Sequence, residues 1–581
     1  MSRLYITARI AMRLFFASRF DRSSAMRVTR SRKRFPGALS PAVLLSIVVF
    51  GFHLFGFQLR APLQAADRKP NVLILFADDL GYSDIGCYGS EIATPNLDRL
   101  ADGGLRFTQG YNTARCWPSR AALLTGYYPQ QVRRDTVPNL PSGNGGKRPG
   151  WARLLPEMLR PAGYRTYHSG KWHVDGQAVE HGFDHSYDLT DQNRYFTPKS
   201  HTEDGKALPP VTSDQGYYAT TAIADHALKC LREHQEKFAD RPFFHYVCFT
   251  APHFPLQAPA KDIDRYRDRY HDGWELVRDA RWMRMKERGL FNQPLSQTER
   301  DLGPPYHFDD VLPKTGADEV NRPVPWNDLT TTQKTFQATK MAIHAAMVDR
   351  MDREIGRLLE QLRTMNVWDD TLILFASDNG ASAEMMIRGE GHDPNAAAGS
   401  EKTHLCLGPG WSTVANTPFR RHKTWVHEGG IATPLIAHWP GGIRTPGEMR
   451  HQPAHLIDFL PTILEVTKVK ALDTWNDQPV PRRPGKSLVP NFTRDGQITR
   501  DYLWWSHEQN RALRVGDWKI VVSKKGPWEL YNLAKDRAES QNLAAEQPDR
   551  VREMERLWDQ EFESQLRWAQ TDLPEKKTSA K

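Results

Sequence analysis

Several apolar runs of buried-strand length punctuate the chain, and each stops on polar residues. "PNVLILFADDLG" (70–81) is a β-branched run ending in Asp78-Asp79-Leu80-Gly81. "RPFFHYVCFTAPH" (241–253), "DDTLILFASDNG" (369–380) and "TPLIAHWPG" (433–441) have the same texture. Between them the period changes to that of a helix. "TPNLDRLADGGLRF" (94–107) reads as a helix stopped at Gly103-Gly104, and residues 339–367 keep a helical apolar stripe over several turns. Strands alternating with helices predict an α/β domain, with a large, mostly parallel sheet covered by helices on both faces. Ligands of such sheets sit at the carboxyl ends of the strands.

The texture changes near residue 495. "YLWWSHEQNRALRVGDWKIVVSKKGPWELYNL" alternates short strand patterns with turns, and a charged amphipathic helix follows. The expected organisation is an export segment with an N-terminal extension (1–66), a catalytic domain (67–494), a smaller antiparallel α+β subdomain (495–570) and a flexible tail (571–581). Residues 133–150 and 262–332 read as loops or insertions.

Charge refines this picture. The formal net charge is +9, but residues 1–65 carry eleven Lys/Arg and one acid, Asp21. The remaining residues hold 67 basic and 68 acidic side chains. The basic excess belongs to the leader, so nothing here points to a nucleic-acid partner. In that leader "RVTRSRKRF" is a basic n-region, "PAVLLSIVVFGFHLFGF" an apolar h-region, and "APLQAAD" offers a cleavage point near Ala65 or Ala66. The chain is therefore expected to use the export machinery and to be periplasmic or secreted. An uncleaved membrane anchor is the alternative.

Candidate chemistry gathers at the strand ends. Asp78, Asp79, Asp378 and Asn379 offer hard oxygen ligands suited to Ca²⁺ or Mg²⁺; for either pair alone, turn formation would explain them as well. The five cysteines (87, 116, 230, 248 and 406) are too few for a disulfide scaffold and match no zinc spacing. Cys116 stands out. In "NTARCWPSRAALLTG" Pro118 suits a first helical position, which puts residue 116 at a helix N-terminus, an anion site with Arg120 one turn along. A thiol there is expected to have a lowered pKa. Yet a hard cation is a poor thiolate partner, and an oxygen at position 116 would suit the carboxylates better.

That mismatch has a precedent. "CWPSR" followed by "LLTG", some forty residues after "ADDLG", resembles the Cys-x-Pro-Ser-Arg signature of the type I sulfatases. The resemblance spans nearly all of the presumed mature chain. It implies the alkaline-phosphatase-like fold, one bound divalent cation, most commonly Ca²⁺, and conversion of Cys116 to formylglycine by a formylglycine-generating enzyme. It also implies hydrolysis of sulfate monoesters, with a gem-diol oxygen as nucleophile. "GYRTYHSGKWHVDG" resembles the family's Gly-Lys-x-His segment and implies Lys171 and His173. "FTAPHFPLQAP" implies His253. "TPFRRHKTWVHEGG" implies Lys423, although its spacing to Glu428-Gly429-Gly430 departs from the usual form and His422 and His427 stand close by. The implied metal set is Asp78, Asp79, Cys116, Asp378 and Asn379. The implied catalytic set is Cys116, Arg120, Lys171, His173, His253 (as proton donor) and Lys423. His181, His185, His245 and His404 are read as structural.

Within the family the chain looks most like bacterial arylsulfatases. The substrate expected is a small aryl sulfate or a sulfated glycan, contacted by loops 133–150, 185–215, 262–332 and 384–412. A phosphomonoester, phosphodiester or phosphonate hydrolase of the same superfamily is the alternative. The Cys-x-Pro-Ser-Arg tag and the lack of a second metal cluster in the sequence weigh against it. A non-catalytic carbohydrate-binding relative would have lost some of the implied residues, and all are present.

Overall fold

The run ending at Asp78 becomes the middle of a ten-stranded sheet in the computed structural model, which describes residues 69–306, 311–389, 391–524 and 526–572. The expected export segment lies outside the described residues, as does most of the tail. The strands are β1 (Asn71–Asp78), β2 (Leu105–Phe107), β3 (Arg165–Gly170), β4 (His185–Asp188), β5 (Thr202–Glu203), β6 (Lys206–Ala207), β7 (Phe243–Pro252), β8 (Thr371–Ser377), β9 (Leu435–His438) and β10 (Met449–Arg450). Their order is β10-β2-β9-β8-β1-β7-β3-β4-β5-β6. The five central strands β8 to β4 run parallel, while β9, β5 and β6 bring in antiparallel pairs.

Every residue of β1 is buried, and alternate side chains serve opposite faces. Leu73, Leu75 and Ala77 pack under helices Ala219–Lys237 and Thr331–Thr364. Val72, Ile74 and Phe76 pack with Leu123, Leu124, Phe459 and Leu460 from helices Cys116–Thr125 and Phe459–Thr467. The two-sided burial explains why the run is continuous rather than alternating.

Three local expectations change. The helix at 116 starts on Cys116 itself with Arg115 as its N-cap, so Pro118 is its third residue, still in the turn whose N–H groups have no helical partner. The long helix starts at Thr331, because Thr330 and Gln333 form a capping box ahead of the apolar stripe. Residues 262–332 are not all loop: helix Trp274–Glu287 buries Arg281 against Asp84 at 2.7 Å and Glu91 at 2.8 Å.

A buried histidine cluster fills the space between β3, β7 and helix Ala219–Lys237. The Ser169 hydroxyl lies 2.8 Å from His226 Nδ1 and 3.0 Å from His245 Nε2, and the Tyr167 hydroxyl is 3.1 Å from His234 Nδ1. Burial holds these imidazoles neutral, with His226 and His234 lowered to about 4 and His245 well below the ordinary value, and it does the same to His168 on the opposite face of β3, lowered to about 3. Their unfolded values lie near 6.5, so the unfolded chain binds the extra protons as pH falls. Stability is expected to be insensitive to these groups above about pH 6.5 and to decline from there toward pH 4, at up to about 1.4 kcal/mol per pH unit for each imidazole. Urea midpoints measured across that window check this, and a flat profile contradicts it.

The C-terminal strands β11 (Leu503–His507), β12 (Asn510–Val515), β13 (Trp518–Val522) and β14 (Glu529–Asn532) form an antiparallel sheet in sequential order, backed by helix Pro548–Gln570. Trp504 stacks on Trp558 at 5.2 Å. The sheet shares a core with Ala122, Tyr128 and Ile457 and belongs to the same compact unit as the α/β body. Buried charge crosses the seam. Lys519 meets Glu428 at 2.9 Å and Glu539 at 2.8 Å, and Arg537 Nε donates to Glu428 at 2.8 Å. Among the described residues no helix is long and apolar enough to cross a membrane.

Candidate active site

Parallel register places the two acidic strand ends side by side, since Ala77 of β1 pairs with Ser377 of β8. Asp78 closes β1. Asp79 turns away with a left-handed backbone (φ 63°), and its N–H donates to Asp378 Oδ1 at 3.3 Å. The Asn379 amide donates to Asp79 Oδ1 at 2.6 Å. Glycine is required beside them. A Cβ on Gly380 would lie 1.9 Å from the Gly429 carbonyl oxygen, and one on Gly430 would lie 1.9 Å from that of Trp425. This close approach locks the Asp378 loop to the 420–430 loop, where Gly380 N–H donates to Gly430 and Lys423 N–H to Ala381.

The cations expected from the sequence converge on these carboxylates. Lys171 Nζ reaches Asp78 Oδ2 at 2.5 Å, and Lys423 Nζ reaches Asp79 Oδ1 at 2.8 Å. His253 Nε2 lies 3.7 Å from Asp79, and Asp78, Asp79 and His253 form a potential metal-binding group. Arg120 is fully buried. Its Nε and Nη2 donate to Asp378 Oδ2 at 3.2 and 2.7 Å, and its Nη1 to the Lys171 carbonyl at 2.8 Å. Its donors are directed at the protein, which makes it a brace for Asp378 and Lys171. His173 also has a left-handed backbone (φ 52°), and its ring lies 5.7 Å from that of Trp117. His422 and His427 turn away, to Ser412 at 3.0 Å and Glu529 at 3.3 Å, so the unusual spacing still delivers Lys423 to the carboxylates.

Burial sets the electrostatics. It opposes ionisation of Asp78, but Lys171, His253, Arg120 and Lys423 outweigh it and hold this carboxyl far below the usual range. Asp378 is pushed up to about 7 by burial and by the charge of Asp78, against Arg120 and Lys171. Burial lowers His253 to about 4 and holds His173 well below the ordinary value, so both are neutral near pH 7. Lys423 stays charged: burial opposes this, and Asp79 and Glu384 prevail. Cys116 is 3% exposed. Burial raises its thiol pKa despite Lys171 and Lys423, with Asp78 and Asp378 adding to the rise. The expectation of an acidified thiol at the helix end is therefore reversed, and the cysteine as encoded is a protonated, shielded group.

Sequence reasoning missed Glu384. It is fully buried and bridges Lys423 Nζ at 2.9 Å and Arg115 Nη1 at 2.8 Å. Nothing in "ASAEMM" marks it, because its partners come from distant segments. Glu384→Gln keeps the shape and removes the charge, and it is expected to lower kcat/KM by roughly 10–100-fold, as changes to residues supporting a site do. Steady-state kinetics on an aryl sulfate check this. Ser119, read only as part of the Cys-x-Pro-Ser-Arg signature, has a structural role too: its hydroxyl donates to the Asp378 carbonyl at 2.5 Å and accepts from Thr113 N–H at 3.0 Å, tying the helix to the acidic loop. His404, read as structural, is buried 6.1 Å from the Phe254 ring next to His253, with both ring nitrogens unpartnered.

Comparison with known proteins bears on this arrangement. Residues 70–469 match the family model described as Sulfatase. The chain belongs to the sulfatase family. An uncharacterized sulfatase of Schizosaccharomyces pombe is 33% identical over 85% of this chain and 94% of its own length. The arylsulfatase of Klebsiella aerogenes is 30% identical over 73% of this chain and 92% of its own. Among solved structures, Ps i-CgsB in complex with k-i-k-neocarrahexaose superposes with a TM-score of 0.59 at 24% identity, over 87% of this sulfatase and 94% of that chain. The large mixed sheet with its small antiparallel partner is the alkaline-phosphatase-like fold, and this sulfatase is a sulfuric ester hydrolase.

Proposed function

We propose that this sulfatase is an exported enzyme that cleaves sulfate monoesters at a formylglycine made from Cys116, acting on aryl sulfates as small substrates and on a sulfated carbohydrate as its natural one. The observation that carries the reading is the placement of Cys116. It is the first residue of a buried helix, and its thiol feels Lys171, Lys423, Asp78 and Asp378 together. Converted to formylglycine, position 116 supplies a hydrated aldehyde, one oxygen of which attacks sulfur while the other allows sulfate to leave by C–O cleavage.

The residues also fit a hard divalent cation. Asp78 Oδ1 and Asn379 Oδ1 are buried without a hydrogen-bond partner, and three carboxylates crowd the same strand ends. Asp78, Asp79, Asp378 and Asn379 would hold the ion, with position 116 beside them once it carries oxygen. Ca²⁺ or Mg²⁺ would offset the charge of the sulfate oxygens and acidify the attacking hydroxyl. Lys423 and Lys171 add fixed positive charge for the sulfate, and Arg120 braces the lysine backbone and Asp378. The 2.5 Å hydrogen bond from His253 Nδ1 to the Phe254 carbonyl leaves Nε2 as an acceptor. Nε2 lies 3.7 Å from Asp79 at the same strand ends, and once protonated it serves as the donor to the leaving oxygen with Lys423 assisting, the roles expected from the sequence. His173, neutral and with a buried unpartnered Nδ1, accepts the proton released as the aldehyde is restored.

The test is hydrolysis of p-nitrophenyl sulfate, beside p-nitrophenyl phosphate, by protein co-expressed with a formylglycine-generating enzyme. The mass of the Cys116–Arg120 peptide reports conversion. Turnover of the sulfate that is lost on chelation supports the reading. Confirmed conversion with exclusive turnover of the phosphate overturns it in favour of the phosphohydrolase alternative.

A further inference from the structure

A cleft of about 420 Å³ lies where the C-terminal sheet meets the 420–430 loop, lined by Tyr306, Thr424, Trp425, Glu508, Ser523 and Lys524 among others. Its volume falls in the ordinary range of ligand sites. It adjoins position 116 through Arg115, the residue before Cys116. The Arg115 guanidinium lies 5.5 Å from the centre of the Tyr306 ring and donates to Thr424 Oγ1 at 2.9 Å, and its Nε is buried with no partner. Thr424 follows Lys423 directly. From the other side, Trp117 lies 5.7 Å from the His173 ring and 5.8 Å from that of His507, which precedes Glu508.

We propose that this cleft receives the leaving group and that its chemistry selects the ring of a carbohydrate sulfate; the inference rests on the sulfate-ester reading above. A phenol needs an apolar slot and little else. This cleft is lined by Tyr306 and Trp425 together with a carboxylate, a hydroxyl and an ammonium, a combination that suits a sugar with one C–H face and several hydroxyls. Glu508 is held in place because the Tyr306 hydroxyl donates to its Oε1 at 2.8 Å, which leaves Oε2 to accept from a substrate hydroxyl. Asn510 is spent on structure: its amide donates to the Thr424 and His507 carbonyls at 3.1 Å each, which pins the β11–β12 turn to the residue after Lys423. The C-terminal sheet thereby supplies the selective half of a site whose reactive half lies in the α/β body. The loops expected from the sequence contribute Tyr306 alone among the six side chains named.

The experiment compares converted wild type with Glu508→Ala, Lys524→Ala and the double variant. Each is assayed on p-nitrophenyl sulfate and on a panel of hexose and hexosamine 4-O- and 6-O-sulfates, scored both as substrates and as competitors of the aryl ester. At least one sugar sulfate is expected to be cleaved or to compete. For that sugar, kcat/KM or the inhibition constant in the double variant should worsen at least tenfold more than kcat/KM for p-nitrophenyl sulfate. Parallel changes for both substrates, or a panel that neither reacts nor competes, overturn the proposal. A wild type that converts Cys116 but leaves both the aryl ester and the panel intact overturns the sulfate-ester reading instead.

Discussion

Cys116→Ala is expected to lower turnover of p-nitrophenyl sulfate by about 10³-fold or more, because it removes the atom from which the nucleophile is made. Folding should barely respond. The thiol is buried, forms no disulfide and sits at a helix start where alanine is tolerated, so the melting temperature should move by only a few degrees. Cys116→Ser sharpens the test. Serine restores an oxygen to the carboxylate cluster but has one hydroxyl, so sulfate bound to it has no route out by C–O cleavage. It should therefore be nearly as inactive as alanine. A serine variant with wild-type turnover would show that position 116 needs only an oxygen, and the aldehyde would drop out of the mechanism.

The second large effect is on stability. Lys519→Met removes the cation between Glu428 and Glu539, all three of which are buried. Two carboxylates would then face each other in a low-dielectric seam, with Arg537 left to serve Glu428. Breaking a buried ion pair on one side costs about 3–5 kcal/mol. Glu539, already pushed up to about 7 by burial, should take up a proton in the variant and soften the loss at low pH. Chemical denaturation measures the difference. Adding Glu539→Leu to Lys519→Met should recover part of it, since removing a second member of the group relieves the repulsion. Equal stability of wild type and Lys519→Met would show that water reaches the seam.

The core of the site could be read from the sequence because each motif is local. "ADDLG", "SDNG" and "CWPSR" carry their polar side chains next to the strand or helix that positions them, and parallel register joins the strands without further information. The acidic strand ends thus predicted a common site, and the apolar runs predicted the central strands. What escaped was long-range. Glu384 matters because Arg115 and Lys423 meet at it, and no pattern within ten residues of Glu384 records that. Arg120 was expected to face the anion; its Nε and Nη2 donate to Asp378 and its Nη1 to the Lys171 carbonyl, contacts that nothing along the chain announces. The thiol pKa was judged from the helix end and Arg120, while the dominant influence, complete burial, is invisible along the chain. The C-terminal sheet was legible as strands but not as a wall of the cleft, because turn residues such as Glu508 and Lys524 look like any exposed hairpin tip.

The position of β1 bears on how the chain is made. It is the first strand of the sheet to be synthesised, yet its neighbours come late: Val72 pairs with Phe244, and Asn71 with Thr371. At about 5–20 residues per second the ribosome needs roughly 15–60 s to bring the second neighbour. Until the first neighbour emerges "NVLILFA" is an unpaired apolar strand with two open edges, and one edge stays open until the second, the kind of segment that recruits other chains. Yield in a heterologous host should therefore depend on holdase chaperones and on low growth temperature more than on the stability of the finished enzyme.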